Sequence, residues 1–363
     1  MTIESDIKQK AFELGFDAVG ITTAAPVEPK QVEYFHRWLQ EGNAAGMGYL
    51  YRNIEKRFDP AKLLNGAKSV ICVALNYRSA KNNRLEACPT LRIANFAQYE
   101  DYHPFIKERL FQLAEFIGNS PRAVAMERGL PARAKHSAGK MPAFLSCDRD
   151  NRAPKFKACV DSVPLAERAL AQRAGLGFIG KNHMLIHPEL GNQILLGELI
   201  TTLELGADKP LENQSCGNCG KCIRACPTGA LGHDGSFDAR KCISYLTIED
   251  GSSPQAVAME RGLPARAKHS AGKMPAFLSC GRDARAGNYI FGCDECILAC
   301  PHEMNKPPRQ NMEFQFHPEW QKLTPEQIQS MTEDDFQKTF ANSGFIRLGL
   351  KRLKRNVKAS QRP

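Results

Sequence analysis

The organisation of this chain is decided by one stretch, Cys216-Gly-Asn-Cys219-Gly-Lys-Cys222-Ile-Arg-Ala-Cys226-Pro227. Its spacing, C-x2-C-x2-C-x3-C-P, is that of iron–sulfur runs in which three thiolates bind one cluster and the fourth binds another. The stretch therefore predicts a second cluster and further cysteines to hold it. A second run, which reads C-D-E-C-I-L-A-C-P from Cys293 to Pro301, supplies three of them.

Two [4Fe–4S] clusters take four thiolates each, and the two runs together supply seven cysteines. The crossover rule divides them into two groups: Cys216, Cys219, Cys222 and Cys300 for one cluster, and Cys226, Cys293 and Cys296 for the other. The missing ligand is expected between the runs. Cys242 is the best candidate, and Cys280 competes with it.

Zinc is the alternative to iron, because C-x2-C pairs also occur in zinc sites. A tetrahedral zinc site does not require a C-x3-C-P pattern that occurs twice. The repeated pattern therefore favours two iron–sulfur clusters.

Length and composition indicate a soluble protein of about two or three domains, since the chain has 363 residues. No apolar run reaches the roughly 18 residues of a membrane span, and the first residues are acidic and amphipathic rather than a signal peptide. We therefore expect a cytoplasmic monomer without membrane contact, whose thirteen cysteines stay reduced. Cys72, Cys88 and Cys159 are expected to be ordinary thiols.

A duplicated segment complicates the charge and cysteine arguments. Residues 123–147 recur letter for letter at 256–280, which indicates one insertion at two places or an assembly artefact. The two copies contribute +6 of the net charge of +10, so the total charge is weak evidence for a nucleic-acid partner. Cys280 has a twin, Cys147, far from either run, and this argues for Cys242 as the ligand.

Helical and strand patterns alternate over residues 1–206 and predict an α/β domain with an insert at about 122–153. Ser69–Leu75 is a continuous apolar run typical of a central strand. Residues 207–306 are predicted to form a ferredoxin-like α+β domain that holds both clusters, with an insert at about 254–286. Residues 307–363 are predicted to form a short basic helical tail.

A glycine-rich turn lies at Gly175–Lys181, but it matches neither nucleotide-binding glycine pattern. We interpret it as a turn where backbone approaches another group closely. Asp161, at the end of the strand predicted at Phe156–Asp161, is on the residues alone either a turn residue or a functional acid.

Several motifs together resemble the epoxyqueuosine reductase family, over about residues 5–355 without the duplicated segments. They are Val160-Asp-Ser-Val-Pro-Leu-Ala-Glu-Arg168, Ala174-Gly-Leu-Gly-Phe-Ile-Gly-Lys181, Leu196-Gly-Glu198, Cys242-Ile-Ser-Tyr-Leu-Thr-Ile-Glu249 and Gly292-Cys-Asp-Glu-Cys296. The resemblance implies reduction of the epoxide of epoxyqueuosine in a tRNA anticodon loop to the alkene of queuosine, the final step of queuosine biosynthesis.

The resemblance also implies a cobalamin in the N-terminal domain, close to a cluster. The aspartate of the V-D-S motif, here Asp161, is then the acid that protonates the departing oxygen. A pKa raised by apolar surroundings would suit that role. The implied cofactor contacts are Arg57, Asp161, Leu185, Leu196, Ser244 and Tyr245, the last two lining either the cofactor or the substrate.

The implied partners are a tRNA that carries epoxyqueuosine and an external electron donor of the flavodoxin or ferredoxin type. Many family members continue into helical repeats, and part of that RNA platform is expected to be absent here. The C-terminal cations are candidates for phosphate contacts, or else form a solvated helix face. They are Arg347, Lys351, Arg352, Lys354 and Arg355.

Two other functions fit parts of the pattern. A corrinoid reductive dehalogenase would share the cofactor and the clusters, but the expected export signal is missing. A non-enzymatic electron carrier would share the clusters, but it would not need the V-D-S-x-P and A-G-L-G segments.

Overall fold

The structure is a computed structural model that describes residues 2–79, 91–127, 153–250 and 288–361. The second duplicated copy and all but residues 123–127 of the first lie outside these ranges. Cys88, Cys147 and Cys280 lie outside them as well, so the structure tests the candidate Cys242 but not its competitor.

A four-stranded sheet forms the centre of the N-terminal region. Its strands are β1 (Ala18–Thr23), β2 (Ser69–Asn76), β4 (Phe156–Cys159) and β7 (Ile194–Thr201), in the order β1-β2-β7-β4. All eight residues of β2 are buried, as predicted for a central strand covered on both faces. The three strand pairs of this sheet are antiparallel, whereas alternating helices and strands usually accompany a parallel sheet.

Helices cover both faces of the sheet. Neighbouring strand residues point to opposite sides, so the apolar residues of β2 need cover on each side. On one face α1 (Ile3–Glu13), α4 (Tyr102–Gly118) and α5 (Pro121–Glu127) pack over a core that includes Ile71 and Val73. On the other face Val70 and Cys72 pack with residues of α2 (Pro29–Gln40), α3 (Ile54–Phe58) and α6 (Glu167–Arg173).

A small hairpin, β5 (Phe178–Ile179) with β6 (Leu185–Ile186), follows α6. A Cβ at Gly177 would lie 2.3 Å from the carbonyl oxygen of Ile186, so only glycine fits there. The prediction of a close backbone approach in this glycine-rich turn is confirmed.

The cluster region is built from short elements that lie close to cysteines in the sequence. These are α7 (Lys221–Ala225), a π-helical turn at Tyr245–Glu249, β8 (Tyr289–Phe291) and α8 (Glu295–Leu298). The strand β8 pairs in parallel with β3 (Arg92–Ile93). This pairing joins the cluster region to the N-terminal segment of the chain.

The C-terminal segment is helical, as predicted, but it is a packed layer and not a tail. Its helices are α9 (Pro325–Ser330), α10 (Glu333–Thr339), α11 (Gly344–Leu348) and α12 (Leu350–Ser360). Phe336, Phe345 and Leu353 are fully buried in a core shared with Ile93 and Phe291. In the described part of the chain, no helix has the length and apolarity needed to cross a bilayer.

Candidate active site and cluster centres

Four thiols line one small pocket between the two cysteine runs. They are Cys216, Cys219, Cys222 and Cys300. Lys181, from the glycine-rich turn, braces this pocket: its backbone nitrogen lies 3.4 Å from the Cys216 sulfur, and its Nζ donates to the carbonyls of Gly217 and Cys219 at 2.7 and 2.9 Å. The structure thus brings Cys300 to the first three cysteines, across about eighty residues of chain.

A second group of thiols lies half-buried beside the first. Burial raises the pKa of Cys242, and the neighbouring Cys226 raises it further. Burial also raises the pKa of Cys296, and there the next largest contributions come from Cys242 and Cys226. Cys293, whose pKa burial likewise raises, is close enough to feel both Cys296 and Cys242. These four are the group that the sequence assigned to the second cluster.

No three His, Cys, Asp or Glu side chains within the described ranges are drawn together closely enough to share one metal ion. Thiolates that hold an iron–sulfur cluster each bind a different iron, so a cluster does not require such convergence. The donor set of four thiols in each group fits a [4Fe–4S] cluster.

Asp161 directly follows β4 and has a strained backbone. Its φ of 39° lies in the left-handed region that residues with a side chain rarely adopt. Its backbone nitrogen donates to Glu167 Oε1 at 2.5 Å, which holds the turn against the first residue of α6. Its carboxylate Oδ2 accepts from Tyr102 Oη at 3.1 Å and lies 3.3 Å from His103 Nε2. The side chain is therefore engaged by another element rather than by its own turn.

Asp101 holds His103 in place at the start of α4. The Oδ1 atom of Asp101 accepts from the His103 backbone nitrogen at 3.0 Å, a helix N-cap, and lies 2.6 Å from Nδ1 of the ring. The ring also stacks on Tyr102, with centroids 4.2 Å apart, and Arg347 lies 3.7 Å from Asp101 Oδ1. The sequence predicts no role for Asp101, Tyr102 or His103, although these three adjacent side chains all carry polar or titratable groups.

The charges of this group are set by its hydrogen bonds. Burial lowers the pKa of His103, but its hydrogen bonds to Asp101 and Asp161 outweigh burial and raise that pKa to about 8. The hydrogen bond from His103 lowers the pKa of Asp161, and Tyr102 and Arg347 act in the same direction against burial. The pKa of Asp161 is therefore lowered and not raised, because polar partners surround the carboxylate.

A pair of carboxyl groups lies behind the Asp161 turn. Glu198 is fully buried on β7, opposite Cys72 and Cys159 in the sheet. It faces Glu167 but makes no hydrogen bond of normal geometry with any described residue. Burial raises the pKa of both carboxyls, and their mutual repulsion raises the pKa of Glu198 further. Burial therefore disfavours the charged form of both groups behind the Asp161 turn.

A cavity of about 360 Å³ opens next to Asp161. We call Asp161 and its partners Asp101, Tyr102 and His103 the acid group. The cavity lining connects this group to the turn that follows Cys242 and to the C-terminal layer. The lining residues include Asp161, Tyr102, Asp101, Glu249 and Arg347.

The other residues implied by the resemblance surround the same region without lining this cavity. Arg57, on α3, has a buried Nε without a hydrogen-bond partner in the described part of the chain, and its charge is felt by Asp161. Leu185 and Leu196 pack in the core on the same face of the sheet. Ser244 lies beside Cys242, and the Tyr245 hydroxyl accepts from the Gly46 backbone at 2.9 Å.

Comparison with known protein families first identifies the cluster region. Residues 215–264 match a family model described as a 4Fe-4S double cluster binding domain. This match decides against the zinc alternative, and with the acid group beside the cavity it defines the protein as an iron–sulfur oxidoreductase.

The rest of the chain gives the family. Residues 57–130 match the model "Epoxyqueuosine reductase QueG, DUF1730". The epoxyqueuosine reductase of Cyclobacterium marinum is 32% identical over 97% of this chain and 94% of its own length. The chain therefore belongs to the epoxyqueuosine reductase family. The dehalogenase and electron-carrier alternatives are not favoured.

Solved structures agree with this assignment. An epoxyqueuosine reductase in complex with an epoxyqueuosine-modified tRNA-Tyr stem loop is 27% identical, with a TM-score of 0.74 over 99% of this chain and 80% of that one. The enzyme from Bacillus subtilis, with its catalytic aspartate loop swung out of the active site, has a TM-score of 0.72 at 27% identity and the same coverage.

Proposed function

We propose that this chain reduces epoxyqueuosine to queuosine in the anticodon loop of tRNA, with cobalamin bound beside two [4Fe–4S] clusters. The observation that carries the proposal is one cavity whose wall contains both Asp161 and the turn that follows Cys242. The proposed acid and the turn that follows a proposed cluster ligand therefore share one cavity wall. The similarity to epoxyqueuosine reductases over nearly the whole chain supplies the substrate.

The two thiol groups are the proposed cluster ligands. Cys216, Cys219, Cys222 and Cys300 hold one cluster, and Cys226, Cys242, Cys293 and Cys296 hold the other. Sharing both runs between both clusters places the clusters side by side, so that electrons pass between them one at a time. The electrons come from an external donor of the flavodoxin or ferredoxin type.

Cobalamin is proposed to lie between the cluster region and the sheet face that is covered by α2, α3 and α6. The buried Arg57 Nε supports this, because an unpaired guanidinium donor suits an amide or phosphate oxygen of the cofactor. Leu185, Leu196, Ser244 and Tyr245 are the other proposed contacts. When bound, cobalamin supplies reduction at carbon by two electrons, which single clusters do not provide.

The role proposed for Asp161 is protonation of the departing oxygen. Reduction of the epoxide to an alkene consumes two electrons and two protons and releases water. An oxygen that leaves as an alkoxide is a poor leaving group, so proton transfer in the transition state accelerates the step. Among the described residues, Asp161 is the one catalytic or cofactor-contact residue implied by the resemblance that lines the cavity.

The tRNA contact is proposed to centre on the cavity mouth rather than on α12. Arg352 donates to the carbonyls of Leu348 and Ile248 at 2.8 and 3.1 Å, so it stabilises the C-terminal layer. Arg355 also bonds to backbone carbonyls. Arg347 lines the cavity, and with Lys351 and Lys354 it remains a candidate for phosphate contacts.

Three further proposals complete this assignment. The domain division is 1–206, 207–306 and 307–363, with inserts at about 122–153 and 254–286. The protein works as a monomer. It works in the cytoplasm, where tRNA is modified and thiols stay reduced.

Complementation tests the function. A bacterial strain that lacks its own epoxyqueuosine reductase accumulates epoxyqueuosine in tRNA, and nucleoside mass spectrometry separates it from queuosine. Expression of this chain is expected to restore queuosine, and expression of the Cys300→Ser variant is not. Continued accumulation of epoxyqueuosine with well-folded, cluster-loaded protein would reject the proposal.

A further inference from the structure

The ring of His103 is held between two carboxylates. Its Nδ1 lies 2.6 Å from Asp101 Oδ1, and its Nε2 lies 3.3 Å from Asp161 Oδ2. A neutral imidazole carries a proton on only one nitrogen, so it can donate to only one of these acceptors. When both carboxyls are ionised, both contacts are satisfied only by the imidazolium, and the geometry therefore indicates a proton held within the His103–Asp161 pair.

We propose that His103 is the positioning residue that charges Asp161 with the proton used on the substrate, an inference that rests on the proposed function. In this step the Nε2–H bond breaks and an O–H bond forms on the Asp161 carboxylate. The neutral carboxyl then gives that proton to the oxygen as its bond to carbon breaks. His103 ends neutral and Asp161 ends as a carboxylate, so this step delivers one of the two protons that the reduction consumes. Solvent reprotonates His103 for the second proton, and the two electrons come from the external donor through the clusters.

This arrangement resolves the conflict between the role of Asp161 and its charge. An ionised carboxylate cannot act as an acid, and its hydrogen bond from His103 lowers the pKa of Asp161. A protonated partner at hydrogen-bond distance restores the proton at the moment of reaction. His103 itself is absent from the cavity lining and only 14% of its side chain is exposed, so it acts through Asp161.

The charges that face the ring give the pH dependence its direction. Asp101 and Asp161 favour the imidazolium, whereas Arg347, 3.4 to 3.5 Å from the ring nitrogens, opposes it. Tyr102 stacks on the ring and Glu167 lies behind Asp161. The balance gives His103 a pKa of about 8. The ring is protonated below that pH, so turnover is expected to fall about tenfold per pH unit above it.

The experiment measures single turnover of an epoxyqueuosine-containing tRNA stem loop by cluster- and cobalamin-loaded protein between about pH 6 and 10. Asp101→Asn keeps a good N-cap but removes the charge at Nδ1. It is expected to move the alkaline limb toward the ordinary histidine pKa of about 6.5. His103→Gln is expected to abolish the limb and to slow turnover by about 100-fold.

His317→Gln is the matched control, because that ring also contacts a carboxylate, Glu319 at 2.9 Å, but is not among the residues that line the cavity. It is expected to leave rate and pH profile unchanged. Normal turnover and an unmoved limb in both Asp101→Asn and His103→Gln would overturn the inference while the proposed function stands. If the unaltered chain forms no queuosine, the proposed function fails and the inference fails with it.

A second measurement does not depend on turnover. Nitrogen-15 NMR of the histidine rings in the full chain reports the titration of His103 directly. A midpoint near 8 that falls in Asp161→Asn supports the proton store. A midpoint near 6.5 that Asp161→Asn leaves unchanged overturns it, whatever the rates are.

Discussion

Asp161 is held for its task by contacts on both its backbone and its side chain. The left-handed φ of 39° costs free energy, of order 1–3 kcal/mol, that surrounding contacts must offset. Glu167 accepts from the backbone, while Tyr102 and His103 engage the carboxylate. Such a strained position at the end of a strand, aimed into a cavity, is typical of a functional residue.

Asp161→Asn removes the acid but keeps the size of the side chain and its acceptor oxygen. We expect turnover of the tRNA substrate to fall by about 100- to 10,000-fold, the usual range for loss of a general acid. Iron content and cobalamin binding are expected to stay normal, because no proposed cluster ligand changes. Normal turnover would remove Asp161 from the mechanism.

Glu167 is expected to hold the Asp161 turn in place. Glu167→Gln keeps the acceptor for the Asp161 backbone and relieves repulsion with Glu198, so near-normal turnover is expected. Glu167→Ala removes the acceptor, and release of a turn that stores about 1–3 kcal/mol corresponds to a rate loss of about 5- to 150-fold. Equal rates for the alanine variant and the unaltered chain would contradict this role.

Among the structural elements, the turn after Cys242 connects the second cluster to the cavity. Cys242→Ser is expected to remove one of the two clusters, so that iron per chain falls from about eight to about four. Cys159→Ala is the control, since Cys159 is a buried thiol on β4 outside both groups. Iron and sulfide analysis of anaerobically purified protein gives the answer. Unchanged iron in the serine variant would return the ligand role to Cys280.

The elements that the sequence predicts well are those with a local signature. Cysteine spacing predicts seven of the eight proposed ligands, with Cys242 the best candidate for the eighth, and the apolar run of Ser69–Leu75 predicted the central strand. The partners of Asp161 were not predicted, because they come from a distant part of the chain. His103 and Asp161 are 58 residues apart, and nothing in either segment indicates the other. The antiparallel pairing of the sheet is likewise a property of tertiary packing, which alternation along the chain does not determine.

On the scale of the whole molecule, the C-terminal layer braces the wall of the cavity. Asn356, on α12, is buried and its side-chain nitrogen donates to the carbonyls of Thr247 and Ile290, both at 2.8 Å. One amide therefore ties the C-terminal layer to the turn after Cys242 and to β8. The prediction of a basic tail did not include this packing role, because the charges of a helix alone do not reveal which of its faces is buried.

Asn356→Ala is expected to destabilise the whole protein. It leaves two buried carbonyls without their donor, and each unsatisfied group costs about 1–3 kcal/mol. Lys351→Ala, an exposed change on the same helix, is the control and is expected to stay within about 0.5 kcal/mol. Urea unfolding of cluster-loaded protein under anaerobic conditions measures the difference in midpoint. If Asn356→Ala also accelerates loss of cluster absorbance in air, the layer protects the second cluster as well as the fold. An Asn356→Ala midpoint equal to that of the control would show that α12 packs on the cluster region without bracing it.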